Sequence, residues 1–418
     1  MKTRTLIEYL LAVVIVLILG GLFGWYFFLR TQSQSTTSQD AARGYNANAP
    51  FGSLNGSTSV NAGNTAAGGT VSANRPPQLW QVDKTPVAGM AFVSDGTSTQ
   101  LEYVERSSGY VFEADPQTGA NTRLTNTLMP KIYEAQITAN GRVIERSLDE
   151  TGNITTFVGS VSTSTSAGSD ATSTVGALTG LYLAKNIMHI SADPNSSQLF
   201  YLVAGAGGVS GVMDQSASDG KQKQIFTSIL PDWRTTWLSD GRIILTQAAA
   251  YGVPGYAYQL KSDGTLVPLL RGIAGLTVSP RSSGALIFGA SGNNAIALFA
   301  QLPGASAVQL PIRTIADKCV WAPVSSATAS STSDTIAYCA VPQVSPTGNF
   351  LDNWYQGALH TADAFWEVDA SAGTAELIFT PGVQTPLDVE NTTMDAGGNY
   401  IAFENGADES LWVLRLAK

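Results

Sequence analysis

Hydrophobic and polar residues follow three different patterns in consecutive parts of the chain. Residues 10–29 are twenty uncharged and mostly apolar positions in a row, and residues 31–78 are almost entirely small and polar. From Leu79 to Lys418, short segments of alternating apolar and polar residues are separated by turn-forming dipeptides. These patterns predict a cytoplasmic N-terminus with a transmembrane anchor (1–30), a low-complexity flexible linker (31–78) and an all-β domain (79–418).

The apolar run is long enough to cross a bilayer, because twenty residues of α-helix measure about 30 Å. Lys2 and Arg4 precede the run, whereas Arg30 after it is followed by no basic residue until Arg43. Cytoplasmic flanks are richer in Lys and Arg, so we expect a single-pass protein of the cell membrane with its β domain outside the cytoplasm. The aromatic cluster 25–28 favours an uncleaved signal anchor over a cleaved signal peptide.

Turn-forming dipeptides divide the β domain into hairpins. Both central residues of a type I′ turn have positive φ, which Asn, Asp and Gly adopt at the least cost. The sequence therefore predicts type I′ turns at five places. These are Asp95–Gly96, Asn140–Gly141, Asp240–Gly241, Asp263–Gly264 and Gly397–Gly398.

The hairpins fall into seven units, each of which begins with an apolar strand. The strands start at Gly89, Tyr133, Ile187, Trp233, Gly275, Lys318 and Leu387. Successive starts are 42 to 54 residues apart, except for an interval of 69 residues before the last. A four-stranded blade takes about 40 to 50 residues, so the spacing predicts a seven-bladed β-propeller. A hairpin outline at 110–125 returns at 365–380, as expected for the third and fourth strands of blades one and six.

The two ends of the β domain are expected to meet. The last unit supplies only three strands, and residues 79–82 precede the first unit without a partner of their own. A propeller avoids exposed sheet edges by closing its ring. We therefore expect residues 79–82 to pair with the last blade as its outer strand.

The repeat pattern of residues 79–418 resembles that of TolB-like and WD40-like β-propellers, although no blade carries the Gly-His or Trp-Asp dipeptides of true WD40 repeats. It also resembles, more loosely, the N-terminal propellers of prolyl oligopeptidases. The segments KCVWAP (318–323), AYCAVP (337–342) and DNWYQG (352–357) resemble hypothetical membrane-anchored propeller proteins of uncultivated bacteria.

The most unusual segment is an insertion of residues 343–365 between the second and third strands of blade six. It concentrates the candidate binding residues Asp352, Asn353, Trp354, Tyr355, Gln356 and His360. Exposed aromatic side chains beside amides and acids make good recognition surfaces for proteins, peptides and sugars. The alternative is that Trp354 and Tyr355 pack the insertion onto its own blade.

The propeller resemblance also implies which face binds a ligand. In propellers, loops that join second to third strands share one face with the links between blades. By that resemblance we expect the segments 160–177, 204–211 and 248–258 to gather on the same face as the insertion.

The two cysteines are expected in the first and second strands of blade six. If Pro323 pairs with Thr335, Cys319 lies directly opposite Cys339, close enough for a disulfide. A location outside the cytoplasm permits oxidation. The sequence thus predicts a Cys319–Cys339 disulfide, with two buried thiols as the alternative.

Charge and motifs narrow the chemistry. The chain has 23 Lys and Arg against 32 Asp and Glu and no basic run, so nucleic acid is not an expected partner. His189 and His360 lie at no recognisable metal-ligand spacing, and no Gly-x-Ser-x-Gly motif occurs. We therefore predict no metal, no cofactor and no catalytic residue, although Asp363, Asp369, Asp388 and Glu390 are candidates for a carboxylate pair.

Three classes of function compete. The missing nucleophile motif and the tethered layout favour a binding or scaffolding module for a protein, peptide or glycan partner. The alternatives are an extracytoplasmic enzyme acting on glycans or peptides, and a component of a surface filament or envelope complex.

Overall fold

A computed structural model of the 418-residue chain describes residues 75–94, 98–162, 175–214, 221–323, 333–382 and 385–416. The predicted membrane span 10–29 and the linker up to residue 74 lie outside these ranges. No helix within the described ranges is long and apolar enough to cross a membrane.

The described residues form seven four-stranded antiparallel sheets, which confirms the predicted seven-bladed propeller. Blade one contains β2 (Val87–Ser94), β3 (Thr99–Glu105), β4 (Val111–Ala114) and β5 (Asn121–Arg123). Blade two contains β6 (Ile132–Ile137), β7 (Arg142–Leu148), β8 (Ile154–Ser162) and β9 (Ala177–Tyr182). Blade three contains β10 (Ile187–Ala192), β11 (Leu199–Gly205), β12 (Gly208–Asp214) and β13 (Gln222–Ser228).

Blade four contains β14 (Trp233–Trp237), β15 (Ile243–Gln247), β16 (Pro254–Leu260) and β17 (Leu266–Ala274). Blade five contains β18 (Thr277–Pro280), β19 (Leu286–Gly292), β20 (Ala295–Gln301) and β21 (Val308–Gln309). Blade six contains β22 (Cys319–Trp321), β23 (Ile336–Pro342), β24 (Asp363–Asp369) and β25 (Thr374–Phe379). Blade seven contains β26 (Val389–Met394), β27 (Tyr400–Asn405), β28 (Ser410–Arg415) and β1 (Leu79–Asp83). The short helices are the 3-10 turns η1 (Ala316–Lys318) and η2 (Ser333–Thr335) and the α-helix α1 (Phe350–Tyr355).

The first strand of each blade lies at the centre of the ring. Strand β2 contacts β6 of blade two and β26 of blade seven, and β10 contacts β14. The ring closes through β1, in which Leu79 lies opposite Leu414 and Trp80 opposite Val413. Arg415 strengthens this closure, because its side chain donates a hydrogen bond of 2.9 Å to the carbonyl of Pro76.

The hydrophobic core is divided among the spaces between neighbouring blades. Val104, Ile132 and Phe157 pack together between blades one and two, and Phe200 packs on Leu245 between blades three and four. Sheets that are covered on both faces bury successive side chains instead of alternate ones. This explains why second strands such as LFYLVAG (199–205) are almost entirely apolar.

Four of the five predicted turn dipeptides lie within the described ranges and form hairpins, but their turns are not of type I′. Asp95–Gly96 lies outside those ranges. Gly141, Gly241 and Gly264 have φ of 72°, 85° and 87°, whereas φ of the residue before each is not positive. Gly141 N–H donates to the carbonyl of Thr138 at 2.9 Å. Residues 138–141 therefore form a type I turn whose last residue, Gly141, has a left-handed backbone, and this combination is a G1 bulge. Asp-Gly and Asn-Gly suit both turns, so the dipeptide alone predicted the hairpin and not its type.

The cysteines lie opposite each other at the centre of blade six. Cys319 pairs with Cys339 in the β22–β23 ladder at a Cα–Cα distance of 4.1 Å. A disulfide joins them, with an S–S distance of 2.09 Å. The two cysteines are 20 residues apart in the sequence. Closing a loop of this length lowers the conformational entropy of the unfolded chain and stabilises the fold by about 3 kcal/mol.

Candidate functional site

The insertion of blade six lies at the end of the sheets where the first strands begin. Consecutive antiparallel strands alternate in direction, so loops between second and third strands all lie at this end, which we call the insertion face. The loops at 204–211 and 248–258 belong to it as expected, since they join β11 to β12 and β15 to β16. The expectation for 160–177 is wrong. Its described ends belong to β8 and β9, the third and fourth strands of blade two, and therefore lie at the opposite end of the blade, while residues 163–174 lie outside the described ranges.

Helix α1 of the insertion is packed against neighbouring blades. Its residues Phe350, Leu351 and Trp354 are buried together with Ile296 and Ile315 of blade five and the link that follows it. A second contact reaches blade four, where the backbone N–H of Tyr251 donates to Asp352 at 2.7 Å. The insertion therefore bridges three blades.

Tyr355 anchors the end of α1 in a polar network. Its hydroxyl donates to Asp317 at 2.7 Å, and Arg234 donates to the same carboxylate at 2.9 Å. The Arg234 guanidinium lies over the Tyr355 ring, 4.6 Å from its centre. Burial, together with the Asp317 charge, raises the pKa of Tyr355 well above its ordinary value, so this hydroxyl stays protonated and donating.

A fully buried ammonium group joins blade six to blade seven. Lys318 donates to Asp363 at 2.7 Å and to Asp388 at 2.6 Å, and it also bonds Thr361 Oγ1 at 3.1 Å and the Val389 carbonyl at 3.0 Å. Lys318, Asp363 and Asp388 all have side chains with 0% exposure. Four acceptors around one ammonium satisfy its hydrogen-bonding capacity, as a buried charge requires.

The pKa values of the two carboxylates of this network are shifted in opposite directions. Burial raises the pKa of Asp363 and outweighs its attraction to Lys318. Burial also opposes ionisation of Asp388, but Lys318 and the donors Trp354 and Thr361 outweigh it, so the pKa of Asp388 is lowered. Lys318 lies equally close to both carboxylates and favours the ionised form of each.

Asp388 also orients the histidine of the insertion. His360 Nδ1 lies 3.0 Å from Asp388 Oδ2, and the imidazole remains 40% exposed at the insertion face. Trp354 Nε1 donates to Asp388 Oδ1 at 2.9 Å. A carboxylate that fixes an imidazole is a geometry used in general base catalysis. The neighbouring hydroxyl of Thr361 donates to Asp388 at 2.7 Å, so it does not serve as a nucleophile for His360.

Two glutamates lie beside this group in blade seven. Burial and the charge of Asp388 raise the pKa of Glu390 to about 7, and burial raises that of Glu404 to about 8. A Cβ on Gly406 would collide with both Glu390 and Asp388, so these two carboxylates are neighbours. Of the four carboxylates singled out in the sequence, Asp363, Asp388 and Glu390 thus come together. Asp369 instead caps a turn, where it accepts a hydrogen bond from the Ser371 hydroxyl at 2.6 Å.

A central cavity of about 590 Å³ lies along the inner strands and opens beside these networks. Its lining combines apolar side chains with a similar number of hydroxyl and amide side chains. The hydroxyl and amide residues are Gln136, Thr235, Thr236, Thr246, Gln247, Thr277, Ser279, Asn391 and Thr392. Arg234 and Asp317 also line the cavity and pair with each other. Burial and two nearby arginines lower the pKa of His189 to about 4, so this histidine of the lining is neutral at pH 7.

The six candidate binding residues lie together on the insertion face, but they have different surroundings. Trp354 is only 7% exposed, and Tyr355 is half-buried in its network. Asp352 and Asn353 are half-buried on α1, whereas Gln356 and His360 are exposed. The positions of Trp354 and Tyr355 are those that the packing alternative requires.

The sequence reasoning missed Lys318, Arg234 and the cavity. Lys318 is separated in the sequence from Asp363 by 45 residues and from Asp388 by 70. A local sequence pattern therefore cannot predict these contacts. The one available signal was a lysine placed directly before an apolar inner strand, where a charge requires a partner.

Comparison with known proteins adds the fold and no more. No protein-family model and no curated protein matches the chain. Among solved structures it is similar to a streptogramin B lyase, at 12% identity and a TM-score of 0.51, covering 81% of this chain and 97% of that one. It is also similar to the propeller domain of the Trilobed protease from Pyrococcus furiosus, at 9% identity and a TM-score of 0.47, covering 78% of this chain and 95% of that one. A third similar structure is the propeller domain of Cps50 (Swd1) from Myceliophteria thermophila, at 10% identity and a TM-score of 0.49, covering 81% of this chain and 100% of that one. At such low identity the similarity shows a β-propeller and assigns no function.

Substitution of Trp354 distinguishes the two alternatives for the insertion. Trp354→Phe keeps an aromatic ring but removes the donor to Asp388, so we expect the free energy of unfolding to fall by about 1 to 3 kcal/mol. Trp354→Ala also leaves a cavity and should cost about 3 to 5 kcal/mol. Urea denaturation measures both.

Trp412→Phe is a matched control, because Trp412 is half-buried and donates to the neutral hydroxyl of Ser410 at 2.8 Å. Trp412→Phe should lower the free energy of unfolding by less than Trp354→Phe does. Unchanged stability in both Trp354 variants would contradict the packing alternative and favour a recognition role.

Proposed function

We propose that the chain is a binding module whose ligand enters the central cavity from the insertion face. The cavity of about 590 Å³ carries this proposal, since it falls within the range of about 300 to 1,000 Å³ that is typical of ligand sites. The insertion supports it, because Tyr355 fixes Arg234 and Asp317, which line the cavity.

The chemistry of the lining indicates a neutral and polar ligand. Arg234 and Asp317 neutralise each other, and His189 carries no charge at pH 7. The remaining polar groups are hydroxyls and amides, which donate and accept hydrogen bonds equally well. Trp321 adds an aromatic surface to the same cavity. A glycan or an uncharged peptide segment presents complementary groups.

A second candidate function is an enzyme that acts on such a ligand. The pair of His360 and Asp388, with Glu390 beside it, supplies a base and an acid whose pKa is about 7. Groups that titrate near neutral pH are suited to proton transfer. Turnover of a bound glycan or peptide that disappears in His360→Ala would establish this function, and binding without turnover would exclude it.

We further propose that the propeller is displayed outside the cytoplasm by a membrane anchor at residues 10–29. The length of this apolar run and the basic residues Lys2 and Arg4 before it support the proposal. The disulfide in blade six is consistent with it, since such bonds persist in oxidising compartments.

The state of the cysteines in living cells tests this location. Thiols are blocked in intact cells without reductant, and the chain is then digested and analysed by mass spectrometry. We expect a linked peptide containing Cys319 and Cys339, because an oxidising compartment forms the bond. Both cysteines recovered as blocked thiols would contradict the extracytoplasmic location.

Binding by the central cavity is tested on glycan and peptide arrays with the full chain. Thr236→Val removes a hydroxyl from the exposed part of the lining and keeps the shape of the side chain. We expect affinity for the captured ligand to fall about fivefold to tenfold, the loss of one hydrogen bond, with unchanged stability. The control is Thr122→Val, on the exposed outer strand of blade one. Equal affinity of both variants and the wild type would place the ligand elsewhere.

A further inference from the structure

A second, smaller pocket lies between blades one and two and contains an unpaired carboxylate. Its volume is about 190 Å³, and none of its lining residues lines the central cavity. Glu145 of β7 lies in this pocket and is only 1% exposed. Neither of its carboxylate oxygens has a hydrogen-bond partner. A buried polar group without a partner destabilises the fold, so its presence in a pocket calls for a ligand.

The rest of the pocket is apolar and partly aromatic. Phe157 and Tyr182 meet edge to face, with ring centres 5.2 Å apart, and Met129 lies beside them. Leu128 and Tyr182 are 63% and 64% exposed, so the rim is open to solvent. An occupant therefore contacts apolar walls along its length and the carboxylate at its buried end.

The pocket itself supplies no positive charge to Glu145. None of the residues that line it is cationic. Arg146, the next residue along β7, binds Glu134 and donates to the carbonyls of Ile187 and Met188 at 2.6 and 2.9 Å. Lys131, in the adjoining link between blades, has an exposed side chain.

We propose that this pocket binds a protonated primary amine, with the ammonium on Glu145 and the carbon chain along Phe157, Met129 and Tyr182. An ammonium offers three donors and a full charge to two carboxylate oxygens, which a neutral hydroxyl does not. Aromatic rings favour a cation nearby, and apolar walls suit a methylene chain. The size fits one alkylammonium group, such as a lysine side chain of a partner protein or a free alkylamine.

The proposal is tested by calorimetric titration of the full chain with n-pentylamine and with 1-pentanol, which has the same shape and no charge. We expect the amine to bind at least tenfold more tightly than the alcohol. Burial raises the pKa of Glu145 to about 8, so the free carboxyl is mostly protonated at pH 7. An ammonium favours the ionised form, so binding should release a proton and the heat should depend on the buffer.

Variants separate the pocket from unspecific binding. Glu145→Gln should remove the preference for the amine and the proton release while leaving the melting temperature unchanged or higher. Tyr182→Ala, at the exposed rim, should weaken amine binding without unfolding the chain. Glu376→Gln, an exposed carboxylate on β25, is the matched control and should bind as the wild type does.

Equal binding of amine and alcohol, or undiminished amine binding by Glu145→Gln, overturns the proposal. Absence of amine binding in the millimolar range by the folded wild type overturns it as well. Titration with Nα-acetyl-lysine amide distinguishes the two sources. Tighter binding of the lysine derivative than of pentylamine assigns a protein partner, and the reverse order assigns a free amine.

Discussion

The buried ammonium of Lys318 is the constraint on which the insertion face depends. A charge with 0% exposure is tolerated only where its hydrogen bonds are complete and its counter-charge is close. Asp363 comes from β24 and Asp388 from the residue before β26, so the requirement of one side chain fixes two blades. Removing one partner of such a pair costs about 3 to 5 kcal/mol, because the other charge is left buried alone.

The same requirement holds the insertion in place. Asp388 accepts hydrogen bonds from Trp354 and Thr361 as well as from Lys318, so the insertion is tied to the buried charge at two points. Beside Trp354, at the same C-terminal end of α1, Tyr355 joins Arg234 and Asp317 at the cavity. The C-terminal end of α1 and Thr361 after it are thus bound to inner strands or to the residues before them. We infer that the insertion holds Arg234 and Asp317 of the proposed ligand site in place, which limits the entropy that ligand binding must overcome.

Local patterns predicted most of the fold, because the start of a blade and a hairpin turn each depend on residues that are adjacent in the sequence. The weak places were those where local pattern is ambiguous. Segment 160–177 was expected on the wrong face, since the strand that follows it, ALTGLY (177–182), is an outer strand with mostly exposed residues and no alternation of burial. Helix α1 has six residues, too few for a helical period to appear in the sequence, so the inward direction of Trp354 was left open. The charge network and the cavity depend on contacts between different blades, which no local spacing records.

Hydrogen exchange of the insertion tests most directly whether the buried charge of Lys318 and its partner Asp388 hold the insertion in place. We expect the hydrogen-bonded backbone amides of the insertion, such as those of Asn353, Ala358 and Asp363, to exchange slowly in the wild type. In Thr361→Val, which removes one donor from Asp388 and one acceptor from Lys318, these amides should exchange at least tenfold faster. Amides of blade two should exchange as in the wild type. Fast exchange of these amides in the wild type, or protection that Thr361→Val leaves unchanged, would show that the buried charge does not hold the insertion in place.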